Sequence, residues 1–203
     1  MTTDRKYWQR HARRYDRVTL IINRRFRDMA RAVAEVVQGA QDVLEVAAGT
    51  GLVSEVVAPG VARYMATDAT AEMLEQLRVR LDAVDNVEMR VADALALDFP
   101  DSSFDAVIIA NLLHLLPEPS RALGEARRVL RPGGKLLVPT FAHGQGIRAR
   151  IASRVLGLSG FAVVTRFRGE QLETLVSDAD FKVLDSRWFA GILPIHLVVG
   201  QRD

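Results

Sequence analysis

Short apolar runs alternate with amphipathic stretches through the middle of this chain, and the alternation predicts a repeated strand–helix unit. Val43-Leu44-Glu45-Val46, Arg63 to Thr67, Val87 to Val91, Phe104 to Ala110 and Lys135 to Phe141 read as five strands. Between them, helices are expected from Leu52, over Ala71 to Leu81 with Met73, Leu74, Leu77 and Leu81 on one face, and from Pro119 to a stop at Pro132-Gly133-Gly134. Such alternation implies a parallel sheet covered on both faces. Upstream, Val18, Ile22, Phe26, Met29, Val33 and Val37 advance by three or four, opposite Arg17, Arg24, Asp28, Arg31 and Glu35, so an amphipathic helix packs on the body until Gly39 ends it. Tyr7, Trp8 and Tyr15 sit among arginines in a separate short helix ahead of it. Downstream the pattern changes: Gly146 to Leu158 is basic and amphipathic, Gly169 to Ser177 a helix, and Phe181 to Phe189 and Ile195 to Val199 two strands joined through Gly191-Ile192-Leu193-Pro194 as an antiparallel hairpin.

The fold class expected is therefore α/β, a doubly wound, Rossmann-like, mostly parallel seven-stranded sheet with an antiparallel C-terminal hairpin and an N-terminal helical cap. A chain of 203 residues, 49% apolar, closes one core, and one domain over residues 1–203 is expected. The absence of cysteine removes disulfides and thiolate chemistry, and His11, His114, His143 and His196 lack the spacing of a helical metal site. No metal is expected. No run reaches the roughly 20 apolar residues of a membrane span, and the basic start lacks the apolar core of a secretory signal, so a cytoplasmic protein is expected. Charge is uneven: residues 1–31 carry ten Lys/Arg against three Asp, whereas the rest has 17 basic and 22 acidic residues. A basic arm precedes an acidic body, which suits either a solvated helix face or an anionic partner.

Glu45-Val46-Ala47-Ala48-Gly49-Thr50-Gly51 is a strand turning sharply into a helix, with glycines that let backbone approach a ligand and a helix start that offers free N–H groups. A nucleotide-like ligand fits there, and Gly49-Thr50-Gly51-Leu52-Val53-Ser54 half-matches a dinucleotide fingerprint, which keeps NAD or flavin open. In a doubly wound sheet the ligand crosses the carboxyl ends of the strands, so those ends are the places to look. Asp68 closes the second strand, where a carboxylate can accept both ribose hydroxyls or simply cap the next helix. Asp93, before small Ala94, can accept from an adenine amino group or be a plain turn carboxylate, and Asn111 ends the fourth strand as a site residue or a helix cap.

These residues resemble a known family. With Tyr15-Asp16, Thr67-Asp68, Glu72-Met73-Leu74, Ala92-Asp93-Ala94, the run Leu97 to Asp105 and Arg128-Val129-Leu130-Arg131-Pro132-Gly133-Gly134, the chain is similar to class I S-adenosylmethionine-dependent methyltransferases of the small-molecule branch, those of the ubiquinone/menaquinone and phospholipid N-methyl type. The match is close from about Tyr15 to Gly134. The resemblance implies S-adenosyl-L-methionine as cofactor and a binding set of Tyr15, Glu45, Ala47, Gly49, Thr50, Gly51, Asp68, Ala69, Met73, Asp93, Ala94 and Asn111. In it, Glu45, Gly49 and Gly51 floor the methionine part and ribose, Asp68 holds the ribose, Ala69 and Met73 flank the adenine, Asp93 and Ala94 read its edge, and Tyr15 folds over. It also implies a helical cap over 1–39, a cofactor-binding core over 40–141, and a lid, helix and strand pair over 142–203. Ala47 departs from the family's usual glycine and is expected to keep a negative φ, with altered packing only.

An activated sulfonium methyl needs an aligned acceptor more than a protein nucleophile. If the acceptor must lose a proton, His114 and His143, just past the fourth and fifth strands, are candidate general bases, against the reading of a buried turn histidine and a loop histidine. Asn111-Leu112-Leu113-His114 lacks the Asn/Asp-Pro-Pro-aromatic tetrad of amine methylation on nucleobases and amides, and Ala110, Asn111, Thr140 and Phe141 lack the acidic ligands of magnesium-dependent catechol enzymes. A small, hydrophobic or lipid-like acceptor is therefore expected, a phospholipid amine or quinone precursor. An RNA-modifying enzyme and a catalytically silent partner subunit stay open, although no RNA-binding module is visible. In the lid, Arg148, Arg150 and Arg154 alternate with Ile147, Ile151 and Val155, so peripheral contact with an anionic membrane through this segment and the basic arm is expected, against an ordinary lid helix.

Overall fold

The structure, a computed structural model, describes residues 25–158 and 164–203. Helix α1 (Phe26–Val37) is followed by β1 (Asp42–Val46), a short α2 (Ser54–Val57), β2 (Arg63–Asp68), α3 (Ala71–Arg80) and β3 (Val87–Val91). Then come β4 (Phe104–Ile109), a single 3-10 turn (Leu113–Leu115), α4 (Pro119–Val129), β5 (Leu130–Phe141), α5 (Gly146–Leu158), α6 (Gln171–Asp178), β6 (Phe181–Phe189) and β7 (Ile195–Arg202). The described strands form one seven-stranded sheet in the order β3-β2-β1-β4-β5-β7-β6. All pairs are parallel except those that β7 makes with β5 and β6.

Alternation along each strand builds two cores. Val43, Tyr64, Ala66, Ala106 and Ile108 face α1, α3 and α5, whereas Leu44, Val46, Val107 and Ile109 face α4 and α6. Every residue of β1 is buried, because it is central and covered on both sides. After β1 the chain winds outward to β3 and returns to β4 on β1's other side, which opens a crevice at the carboxyl ends of β1 and β4.

Several elements differ from expectation. The helix after β1 begins at Ser54 rather than Leu52 and gives way at Pro59 to a 3-10 turn over Ala58–Gly60. Helix α4 stops at Val129, before the Pro-Gly-Gly run, which lies within a twelve-residue β5. Its last carbonyls are met from outside the helix: the Arg202 guanidinium donates to Arg127, Arg128 and Leu130, and Ser102 and Ser103 N–H to Arg128 and Val129. Extension of β7 to Arg202 makes that contact. The expected helix over Val18 and Ile22 is present from Phe26; Val18, Ile22, Tyr7, Trp8 and Tyr15 lie outside the described residues.

Candidate active site

The turn after β1 is fastened to β2. Ala48 N–H donates to Thr67 O at 2.8 Å and Gly49 N–H to the Asp68 carboxylate at 3.0 Å, while Gly51 N–H returns to Ala48 O at 3.0 Å. Gly51 sits at φ +85°, where a Cβ would lie 3.0 Å from Leu77 Cγ and 3.3 Å from Arg80 Cδ, so this position needs glycine both for conformation and for space.

Ala47 corrects an expectation: its φ is +57°, not negative. The turn imposes the left-handed conformation that the family meets with glycine, and an L-residue there costs about 1–2 kcal/mol. An Ala47→Gly protein is expected to be about 1 kcal/mol more stable, raising Tm by about 3 °C in a chain of this size, as read by thermal unfolding.

Asp68 is almost wholly buried and accepts on both oxygens: Oδ2 from Gly49 N–H, Oδ1 from Thr70 N–H at 2.9 Å and Thr70 Oγ1 at 3.0 Å. Burial raises its pKa against these donors. Glu45, 1% exposed, accepts on Oε2 from the hydroxyls of Ser54 and, at 2.7 Å, Tyr64. Desolvation drives its pKa up to about 7, the two hydroxyls only partly opposing it. Asp93 is exposed and closes a turn by accepting Leu95 N–H at 2.9 Å. Asn111, at φ +52°, does not cap the following turn; its Oδ1 accepts Phe141 N–H at 3.1 Å and its own N–H donates to Pro139 O, lashing the ends of β4 and β5 together.

One cavity of about 300 Å³ gathers most of the expected set. Glu45, Ala47, Gly49, Thr50, Asp68, Ala69, Met73, Asp93, Ala94 and Asn111 all border it, whereas Gly51 lies behind the turn against Leu77 and Arg80. Tyr15 lies outside the described residues. Leu52, Val53, Met73 and Leu95 also line it, as do Phe26, Leu112, Leu115 and Leu116. These last four are not among the sequence candidates; the signals were the apolar stripe of α1 and the run Leu112 to Leu116, but only the fold brings them together.

His114 and His143 are buried side by side with ring centroids 4.9 Å apart, and both rings stand edge-on to Phe141. Desolvation and the neighbouring His143 hold His114 well below the ordinary imidazole value, and desolvation with the Arg166 charge brings His143 down to about 4. Both rings are thus neutral at neutral pH. His196 is elsewhere, on β7, bonded to Ser186 of β6 and Glu173 of α6 and stacked on Trp188.

The lining combines two buried carboxylates, Glu45 and Asp68, with the small Ala69 and Ala94 and the apolar Met73, a chemistry that suits a nucleoside-bearing, positively charged ligand such as S-adenosylmethionine. Comparison with known proteins agrees. Residues 44–138 match the methyltransferase domain family. The chain is 44% identical over 112 residues to a demethylmenaquinone methyltransferase of Clavibacter sepedonicus, covering 55% of this chain and 45% of that protein. It is 37% identical over 125 residues to a phosphatidylethanolamine N-methyltransferase of Cereibacter sphaeroides, covering 60% of this chain and 61% of that one. It thus spans about half the length of the curated relatives it matches. The fold is shared with the N-methyltransferase NodS of Bradyrhizobium japonicum in complex with S-adenosylhomocysteine, at TM-score 0.77 and 17% identity over 97% of each chain. Residues 44–138 are thus similar to the methyltransferase domain family, and the chain shares the fold of a methyltransferase seen with S-adenosylhomocysteine bound.

Proposed function

We propose that this protein transfers a methyl group from S-adenosylmethionine to a small apolar or lipid-like acceptor, with a quinone precursor or a phospholipid amine as the favoured classes. The observation that carries the reading is that Phe26, Leu112, Leu115 and Leu116 line the same cavity as Glu45, Asp68 and Asn111, so apolar surface and the polar groups share one space. The names of the two relatives above, one acting on demethylmenaquinone and one on phosphatidylethanolamine, support it.

When bound, the cofactor supplies an electrophilic methyl. Asp68, anchored by Gly49 and Thr70, would hold the ribose, Ala69 and Met73 would flank the adenine, and Asp93 with Ala94 would read its edge. Phe26 and the leucines would exclude water and align the acceptor, which is the larger part of what an in-line displacement asks of a protein. For an acceptor that must shed a proton, His114 and His143 are the proposed bases: both are uncharged, although burial weakens them as proton acceptors and neither borders the cavity itself. His143→Asn is then expected to lower kcat on such an acceptor by about a hundredfold or more and to leave transfer to an unprotonated amine unchanged.

The deciding experiment incubates the protein with methyl-labelled cofactor and separate pools of quinone precursors, phospholipids and RNA, read by mass spectrometry. Label in the first or second pool supports the reading. Label in RNA supports an RNA-modifying enzyme, and cofactor binding without transfer to any pool supports a silent partner subunit.

We propose a membrane-peripheral site on α5. Ala149 and Ser153 turn inward, while Ile147, at 68% exposure, and Ile151, at 57%, form a ridge flanked by exposed Arg148, Arg150 and Arg154. Apolar side chains between cations suit an anionic bilayer, each basic residue contributing about 1 kcal/mol. Among the described residues no helix is long and apolar enough to cross a membrane. Co-sedimentation with phosphatidylserine vesicles at low salt is expected, and an Arg148→Glu, Arg150→Glu protein is expected to bind them at least tenfold more weakly. No binding by the unaltered protein would overturn this part.

A further inference from the structure

The Glu45 carboxyl is buried in the cavity wall and no basic side chain pairs with it among the described residues. A carboxylate desolvated in this way costs several kcal/mol unless a positive charge arrives. Its two hydroxyl donors come from different elements: Ser54 opens α2, and Tyr64, 1% exposed, stands on β2, where its backbone pairs with Val43, two residues before Glu45 on β1. Both reach Oε2, and among the described residues none donates to Oε1. The carboxyl is thus held from behind by one oxygen, with the other left for a ligand.

Little else nearby can titrate in its place. From β2, Asp68 adds negative charge and Tyr64 donates a hydroxyl; Ser54 donates from α2; and the facing residues of β4, Ala106, Ile108 and Ala110, bring no charge. Of the carboxylates that border this cavity, Asp68 accepts on both oxygens and Asp93 is exposed on its turn with Leu95, whereas Glu45 is buried and keeps one oxygen that no described N–H or O–H meets.

We propose that Ser54 and Tyr64 are positioning residues that aim Glu45 as the receptor for the cofactor's positive charge, and that cofactor binding drives a proton off Glu45. This rests on the methyltransferase reading. The proton leaves the carboxylic acid O–H for solvent as the ligand cation takes its place, and no other bond changes. The free carboxyl titrates near 7, and hydroxyl donors favour its charged form, so each donor keeps the site competent at neutral pH.

The test is calorimetric titration with S-adenosylhomocysteine, which carries the ammonium, in buffers of different ionisation enthalpy. Release of about half a proton is expected near pH 7, with binding about tenfold weaker near pH 6 than near pH 8. Tyr64→Phe is expected to move that midpoint upward and to recover normal affinity near pH 8.5, which a protein merely loosened in its core would not do. Glu45→Gln is expected to bind weakly with no pH dependence. Binding without proton release, or an unmoved midpoint in Tyr64→Phe, overturns the proposal and leaves the methyltransferase reading intact. No binding of S-adenosylhomocysteine at any pH overturns that reading instead.

Discussion

An Asp68→Ala protein is expected to bind S-adenosylhomocysteine at least a hundredfold more weakly than the unaltered protein. Hydrogen bonds to a charged group contribute about 1.5–3 kcal/mol each, and Asp68 is proposed to hold two ribose hydroxyls. The same carboxylate accepts Gly49 N–H, Thr70 N–H and Thr70 Oγ1 inside the fold. Its removal therefore leaves donors unpaired in a buried turn and lets the loop after β1 come away from β2. A stability loss of about 3 kcal/mol accompanies the lost affinity. Asp68→Asn keeps an acceptor toward Thr70 but turns an amide N–H₂ on Gly49 N–H, so it is expected to fold better than the alanine variant and still bind weakly. Urea unfolding beside calorimetric titration separates the two effects, and tight binding by Asp68→Ala would remove Asp68 from the proposed site.

Glu45→Gln is expected to make the ligand-free protein more stable in mildly alkaline solution. The native carboxyl titrates at about 7 and its ordinary value is 4.5, so between them the folded state holds a proton that the unfolded state has released. Stability accordingly falls as pH rises through this window, and above it the buried charge costs about 3 kcal/mol, at 1.36 kcal/mol for each unit of pKa. Glutamine fits the same space, still accepts from Ser54 and Tyr64, and carries no charge. Its advantage over the unaltered protein should approach about 3 kcal/mol near pH 8 and vanish near pH 4. Urea unfolding at both pH values checks this, and an advantage independent of pH would show that Glu45 is not the titrating group. A residue that destabilises the empty protein and binds a cation is a familiar exchange of stability for function.

How far the chain could be read depended on the range of the forces involved. Strands β3 and β6 were predicted to the residue, and α3 and α5 nearly so, because period and local stop signals define them. The Pro-Gly-Gly run misled: it reads as a helix stop, yet α4 ends three residues earlier, where Arg202, 72 residues further along the chain from Leu130, takes up its carbonyls. Ala47 misled for a similar reason, since a φ of +57° is imposed by the fastening of Ala48 and Gly49 to β2 and not by any preference of alanine.

The order of strands and helices, the glycine turn after β1 and the carboxylates at the strand ends were determined by the sequence itself, because periodicity, turn chemistry and residue type act over a few neighbours. Only the tertiary structure decided what those residues face. It brought Phe26 from α1 and Leu112, Leu115 and Leu116 from the segment after β4 to the lining of one cavity, buried His114 against His143, and set the Tyr64 hydroxyl on Glu45. Such partners are chosen by burial and by the need to satisfy every buried polar group, conditions met only once the sheet has closed over its two cores.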